Sequence, residues 1–383
     1  MKVCLISRNI NNDYRGSFEF DQARALKKSG DDVYVISMDF RSIRRRRKIG
    51  LYWDIHEGIN VLRCSYPLGR INRKLFYTVG KRLFERAYKE MLKRAGNIDI
   101  IHSHFLETSY ITTIVLKEKL NDDTPLIVTE HSSLVNDEIE QLSGDTVSKA
   151  EYVYTKADKV IAVSEVLSAK IKSNFKTDCD VVYNVVDMEI FRFAGKKAAS
   201  DEGDFIFVSA GNLLTNKRMD MLIRCFCRAF KDDRSVRLYI FGDGPMRQSL
   251  NKLVCKEKAE DRIFLMGRKT RKEISDFYKK ADAFALLSEK ETFGVAYVEA
   301  MSAGLPVIAC YSGGPEGFIT PQSGLLTRDR EADIIKSLRY IRENISEYDA
   351  EDIAAFARKI CSPEVIAEKL NIIYKNQLRQ REG

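Results

Sequence analysis

The chain has 383 residues, 44% hydrophobic and 31% charged, with 63 Lys plus Arg against 55 Asp plus Glu and a net charge of +8. That length exceeds one ordinary domain, and the composition excludes a disordered or fibrous chain. No stretch approaches the roughly 18 unbroken apolar residues of a membrane span, and the apolar run at the start stops at Arg8, too short for a secretory signal; a cytoplasmic location is expected.

Short apolar runs then alternate with longer amphipathic stretches. Strands are predicted over residues 2–7, 32–38, 59–64, 99–103, 125–130, 159–164 and 181–184, with helices such as 18–29, 75–94 and 147–156 between them. Residues 191–203 are mostly small and polar, follow no period and read as a linker. The alternation restarts with strands at 205–210, 236–241, 262–266, 283–287, 306–309 and 324–326 and helices at 219–230, 246–258, 272–280 and 295–303. Continuous apolar runs fit parallel strands buried on both faces, and strand–helix alternation predicts an α/β doubly wound sheet. Two such domains follow, over 1–190 and 204–362. A last helix spans 363–379; its pattern alone does not say where it packs, and we expect it to return to the first domain. Two facing doubly wound domains would turn the loops after their strands toward a central cleft.

Eight cysteines are scattered along the chain without a Cys-x-x-Cys pair, so neither a zinc ribbon nor a redox motif is indicated. Buried free thiols in a reducing compartment are expected. Asp178-Cys179-Asp180 has the Asp-x-Asp form of metal-dependent sugar transferases but lacks an apolar lead-in strand, and reads as coincidence. No His, Cys and Asp cluster has metal-ligand spacing, so no metal is expected.

The charge is uneven. Between Arg41 and Arg94 there are 16 Lys plus Arg against 4 Asp plus Glu, a local +12, so the remainder sums to −4. Arg44-Arg45-Arg46-Arg47-Lys48 precedes Leu51, Tyr52 and Trp53, and Phe76, Tyr77 and Phe84 interleave with further cations. A solvated loop and helix face is one reading. The other is docking to an anionic membrane surface. Nucleic acid would suit the charge, but no nucleic-acid motif accompanies it.

The most informative segment runs from Leu287 to Ala309. It reads as strand, tight loop, helix, glycine stop and strand. Gly294 lets backbone approach a ligand closely, and the helix opening at Val295 and Ala296 directs unpaired amides and a positive dipole end toward it, a seat for phosphate. Glu299 in that helix can accept the two hydroxyls of a ribose, and Glu291 lies in the loop before it.

With Ser288, Glu291, Phe293, Gly294, Glu299, Ala300, Met301, Gly304, Pro306 and Val307 in register, the chain resembles the retaining GT-B glycosyltransferases of family 4 and their Glu-x7-Glu motif. Gly313-Gly314-Pro315-Glu316 and Gly324-Leu325-Leu326 follow at the family's distances. The resemblance covers nearly the whole chain and implies a GT-B fold of two Rossmann-like domains facing a central cleft. It implies a hexosyltransferase-type enzyme with a nucleotide-sugar co-substrate, no metal and no other cofactor.

The resemblance also assigns residues. The loop Gly211-Asn212-Leu213-Leu214-Thr215-Asn216-Lys217-Arg218 would carry the donor diphosphate, with Lys217 as the compact cation for the leaving phosphate. Asn212 stands where the family usually has arginine, which removes a bidentate cation; Arg218 would be the compensating charge. Gly242-Asp243-Gly244-Pro245 matches a further strand-end loop, and Gly267 and Arg268 would run beside the base. Phe293, Gly294, Val295, Ala296 and Glu299 complete the donor set, with Glu291 shaping the sugar pocket. In the first domain only Gly16, after Arg15, matches the family's glycine pair. His131 corresponds to the family histidine that faces the transferred sugar and is favoured over His102 and His104.

The expected function is sugar transfer from a UDP- or GDP-sugar to a saccharide or lipid-linked acceptor, in bacterial surface polysaccharide or glycolipid synthesis. The basic segment would hold the enzyme on the inner face of the plasma membrane. Two other readings stay open: a GT-B sugar-nucleotide epimerase, and a non-catalytic protein that binds polyanions or membranes through residues 41–94.

Overall fold

In this computed structural model, residues 1–8, 10, 18–42, 47–69, 71–195 and 203–382 are described. Contacts divide the chain into one unit of Met1–Val185 with Pro363–Gly383 and a second of Val186–Ser362.

The first unit contains β1 (Lys2–Arg8), α1 (Phe18–Lys28), β2 (Asp32–Asp39), β3 (Gly50–His56), β4 (Ile59–Ser65), α2 (Arg73–Ala95), β5 (Ile100–His104), α3 (Leu106–Thr113), β6 (Leu126–Glu130), α4 (Gly144–Lys156), β7 (Lys159–Ala162), α5 (Glu165–Phe175) and β8 (Cys179–Val181). Its eight strands are ordered β3-β4-β2-β1-β5-β6-β7-β8, all parallel except β3 against β4. β1 is buried along its centre and β5 and β6 throughout, as expected of strands covered on both faces.

β3 is absent from the sequence expectation, which read Leu51, Tyr52 and Trp53 as part of a basic surface patch. The chain instead folds back through Glu57 and Gly58, whose φ values of 51° and 73° both lie in the left-handed region. Such a two-residue turn matches the twist of its strands, but Glu at the first position is not the usual hairpin signal. Arg94 covers the Trp53 ring at 4.5 Å and Lys48 the Tyr52 ring at 4.4 Å.

The second unit contains β9 (Phe205–Ala210), α6 (Met219–Ala229), β10 (Val236–Phe241), α7 (Arg247–Lys256), β11 (Ile263–Gly267), α8 (Arg271–Tyr278), β12 (Ala283–Leu286), α9 (Val295–Ser302), β13 (Val307–Cys310), β14 (Gly324–Thr327), α10 (Glu331–Glu343) and α11 (Ala350–Cys361). Its six parallel strands are ordered β11-β10-β9-β12-β13-β14. The order runs outward one way from β9 and the other way from β12. The crevice between their following loops is therefore the topological switch point, where open α/β sheets bind ligands.

The last helix, α12 (Pro363–Glu382), packs on α1. Its Ile366, Leu370 and Tyr374 join Val3, Leu5, Phe20, Val35 and Ile127 in one core. Phe191 is fully buried against Tyr278, so residues 191–195 of the expected linker belong to the second unit; residues 196–202 lie outside the described residues. Six of the cysteines are buried, Cys179 is half-buried and Cys255 is exposed; all are free.

Candidate functional site

Because the strands of the second unit are all parallel, the loops after β9, β10, β11, β12 and β13 lie along one edge of its sheet. Glycines hold them close. Gly242, at φ 136°, would place a Cβ 1.8 Å from the Gly211 carbonyl oxygen, and one on Gly244 would lie 2.6 Å from that of Leu213. The loops after β9 and β10 therefore pack backbone to backbone. Gly211 N donates to Phe241 O, Leu213 N to Asp243 O and Met246 N to Leu213 O. Side chains are not tolerated there.

At the switch point the structure brings Lys217 and Glu291 together. Lys217 Nζ lies 2.5 Å from Glu291 Oε1, and both side chains are largely buried. Backbone bonds fix the two loops: Glu289 N donates to Asn216 O and Glu291 N to Ser312 O. Lys217, the expected cation for the leaving phosphate, is ion-paired here with Glu291, the residue expected to shape the sugar pocket. Arg218, at φ 50°, turns the chain into α6 and pairs with Asp329, so its charge too is engaged. Asn212 is exposed, as is Arg268, whereas Gly267 is buried beneath the Arg247 guanidinium.

Gly294, at φ 96°, opens α9, with Tyr297 packed where its Cβ would be. The amides of Val295 and Ala296 occupy the first turn, where no intrahelical acceptor exists. Phe293 is buried against Phe318. The loop after β13 closes on it, since a Cβ on Gly314 would meet the Phe293 carbonyl oxygen at 2.4 Å. The Ser288 and Ser312 hydroxyls near Glu291 are buried.

Glu299 carries a contact the sequence reading missed. Arg271 donates to Glu299 Oε1 through Nε at 3.2 Å and Nη2 at 3.0 Å. A signal existed. Thr270 and Glu273 form a capping box that marks a helix start, and a cation in the first turn opposes the helix dipole and so needs a partner elsewhere.

In the first unit, the switch point lies between β1 and β5. Gly16 and Arg15 fall outside the described residues. Arg8 lies 3.8 Å over the Phe105 ring. Three of the chain's four histidines meet beside it. His131 Nε2 lies 3.0 Å from His104 Nδ1, and the His104 ring stacks on His102 at 4.5 Å. His102 is tied to Tyr374 Oη and Thr129 Oγ1, each at 2.6 Å. Burial pushes all three below the usual histidine range, His104 to about 3, so the stack is neutral. Glu130 was also missed. Its Oε1 accepts from the amides of His131 at 3.0 Å and Ser132 at 2.7 Å, and its Oε2 from the Tyr154 hydroxyl at 2.9 Å, while burial raises its carboxyl to about 7.

Asp178 and Asp180 are each paired with a lysine, Lys172 and Lys159, at 2.8 Å. Among the described residues no group of three or more His, Cys, Asp or Glu could hold a metal ion. No described helix is long and apolar enough to cross a membrane.

The family model "Glycosyltransferase Family 4" matches residues 20–190, and "Glycosyl transferases group 1" matches residues 191–360. An uncharacterised glycosyltransferase of Methanocaldococcus jannaschii is 30% identical over 262 residues, 68% of this chain and 67% of that protein. The chain belongs to glycosyltransferase family 4. N-acetyl-alpha-D-glucosaminyl L-malate synthase of Bacillus anthracis is 26% identical to this glycosyltransferase over 57% of the chain and 58% of its own length. The alpha-monoglucosyldiacylglycerol synthase of Acholeplasma laidlawii is 30% identical over 37% of the chain, which spans only 35% of that relative. Solved structures fix the fold as GT-B. Sucrose-phosphate synthase from Thermosynechococcus elongatus superposes with a TM-score of 0.80 at 17% identity, covering 99% of this chain and 100% of that one. HepE of Anabaena, in complex with UDP and glucose, gives 0.73 at 17% identity over 98% and 99%.

Proposed function

We propose that this family 4 glycosyltransferase moves a sugar, with retention, from a nucleoside-diphosphate sugar to a saccharide or lipid-linked acceptor without a metal. The observation that carries this reading is the Lys217–Glu291 pair at the switch point, beside the first-turn amides of α9. As the glycosidic bond to the diphosphate breaks, negative charge grows on the leaving oxygen. Lys217 and the amides of Val295 and Ala296 are pre-placed donors for it, and cost no rearrangement at that moment. Glu291 holds the Lys217 ammonium until the diphosphate competes for it. Glu299 accepts the ribose hydroxyls. The departing phosphate oxygen takes the acceptor's proton. The UDP bound in HepE makes UDP-sugars the first donors to try.

The acceptor side includes a membrane contact in this reading, with support that differs from the expectation. Arg44, Arg45 and Arg46 lie outside the described residues, and the side chain of Arg47 is only 5% exposed, pairing with Asp39 and donating to the carbonyls of Ser42, Asp39 and Arg41. The contact therefore shifts to α2. Its Arg82 and Arg86 line a groove of about 570 Å³ against Leu51, Tyr52 and Trp53, and neither has an ion pair among the described residues. Ile49, Ile55 and Leu75 nearby are 50%, 61% and 50% exposed. Cations beside exposed aliphatics suit an anionic bilayer surface, here the inner face of the plasma membrane.

A thermal-shift panel of nucleoside diphosphates and nucleotide sugars in EDTA, with Lys217→Ala alongside, tests the donor site. A selective upward shift lost in the variant is expected; a flat panel sinks the reading. Isomerised donor without acceptor would reveal an epimerase instead. Arg82→Glu with Arg86→Glu should weaken binding to anionic liposomes, and unchanged binding removes the membrane contact.

A further inference from the structure

Arg271 has no place in the donor set drawn from the sequence, yet its surroundings are built. The capping box fixes where α8 begins: Thr270 Oγ1 accepts from Glu273 N at 3.2 Å, and Glu273 Oε2 accepts from Thr270 N at 2.8 Å. That sets the direction in which the next residue leaves the helix. The Arg271 guanidinium then lies over the fully buried Phe191 ring at 5.4 Å. Its Nε and Nη2 both point at one oxygen, Oε1 of Glu299, and the two side chains are only 18% and 15% exposed.

A planar fork resting on an aromatic face and gripping one carboxylate oxygen has little rotational freedom left. It also fixes the plane of the Glu299 carboxylate and so the direction of Oε2. A vicinal diol can both donate and accept. A carboxylate alone answers only the donated hydrogens, whereas a carboxylate held by a guanidinium offers acceptor and donor side by side.

We infer that Arg271 is the positioning residue that makes Glu299 selective for a ribose diol in the donor nucleotide. The inference rests on the proposed reading that Glu299 accepts the ribose. Arg271 sets the rotamer of Glu299 and, with it, the discrimination between ribo- and 2′-deoxyribonucleotides. Lysine cannot replace it, because an ammonium supplies charge without the fork.

The test measures affinities of the full chain for UDP and 2′-deoxy-UDP by calorimetry, with GDP and 2′-deoxy-GDP if guanine is the preferred base. Wild type, Arg271→Lys, Arg271→Met and Glu299→Gln are compared. Wild type should favour the ribonucleotide by about tenfold or more, the scale of one hydrogen bond to a charged group. Both Arg271 variants should lose most of that ratio, Arg271→Lys included, at unchanged secondary structure by circular dichroism. A ratio preserved in both Arg271 variants but lost in Glu299→Gln overturns the role of Arg271 and leaves the ribose reading standing. A ratio preserved in Glu299→Gln overturns the ribose reading, and the inference falls with it. Because Arg271→Met strands a half-buried carboxylate, the double variant Arg271→Met/Glu299→Gln is measured as well. If it folds like wild type and keeps the wild-type ratio, the inference is wrong.

Discussion

Lys217 Nζ and Glu291 Oε1, 2.5 Å apart, join two loops whose residues are separated by 74 positions in sequence. The pair closes the switch crevice between the loops after β9 and β12, and it sets up a competition. A diphosphate entering the crevice must share Lys217 with Glu291. The two residues therefore have opposite effects on binding. Lys217→Ala should weaken nucleoside-diphosphate binding by about tenfold or more, the scale of a lost charge-assisted hydrogen bond. Glu291→Gln should hold or tighten binding of the free diphosphate, because it frees the ammonium, while slowing sugar transfer. Calorimetry in EDTA and a transfer assay separate the two. Equal weakening by both substitutions would show that the pair is only a structural tie.

Gly242 is a backbone requirement of the same crevice. Alanine there adds a Cβ 1.8 Å from the Gly211 carbonyl oxygen at a φ of 136° that alanine rarely adopts. The loops would have to separate, at a cost of about 3 kcal/mol or more. Gly144→Ala at the start of α4 is the control: its Cβ meets nothing within 4 Å, and the change should be neutral or stabilising by up to about 1 kcal/mol. Denaturant melts of both variants measure the contrast, with nucleotide binding expected to fail only in Gly242→Ala.

The first unit should lose stability as pH rises through neutrality. Burial raises the Glu130 carboxyl from 4.5 to about 7, against the pull of hydrogen bonds from the Ser132 amide, the Tyr154 hydroxyl and the His131 amide. The native state thus holds a proton that the unfolded chain releases. The contribution of Glu130 is complete below about 4.5 and is lost as pH climbs through about 7, roughly 3 kcal/mol in all. The buried histidines act in the opposite direction. Their contribution is complete above about 6.5 and is lost as pH falls below it, because only the unfolded chain then accepts protons readily. Urea melts of wild type and Glu130→Gln between pH 6 and 7.5 isolate the Glu130 limb by difference, because the histidines titrate alike in both and unfolded thiols ionise only near about 8.5. Glu130→Gln keeps an acceptor for the two amides and should flatten that limb. An unchanged slope in the variant would assign it to another group.

Which parts of this were legible in sequence follows from the range of the physics involved. A parallel strand such as residues 205–210 is read correctly because burial on both faces writes a nearly continuous apolar run. The motif from Ser288 to Val307 is legible because its spacing is local. Partners are not. That Lys217 meets Glu291, or Arg271 meets Glu299, depends on the order of the strands in the sheet, and no local pattern carries that order. The hairpin of β3 and β4 was missed because Glu57 occupies a turn position that asparagine or glycine would have announced. Phe191 looked like linker because its burial comes from Tyr278 and Arg271, far along the chain.

Tyr374 is the remaining long-range tie, and it makes α12 part of the histidine stack. Its hydroxyl lies 2.6 Å from His102 Nδ1, 272 residues away, and both side chains are fully buried. Gln22 Nε2 approaches the same nitrogen at 3.2 Å, and Thr129 Oγ1 lies 2.6 Å from His102 Nε2. Tyr374→Phe keeps the ring in the core but removes one of two partners at Nδ1, so the nitrogen is not stranded. The expected loss is about 1 kcal/mol, less than the cost of leaving a buried polar atom with no partner. His102→Leu is a harsher change. It removes the polar centre while Tyr374 Oη and Thr129 Oγ1 stay buried, and should cost about 2 kcal/mol or more. Applying Tyr374→Phe in the His102→Leu background should then cost less than in wild type, because the bond to His102 is already gone and only the Gln22 amide still meets the hydroxyl. A double-mutant cycle by denaturant unfolding measures that coupling. Additive losses would mean that α12 is held by its apolar face and its other contacts, and that the tyrosine hydroxyl plays no part in holding the histidines.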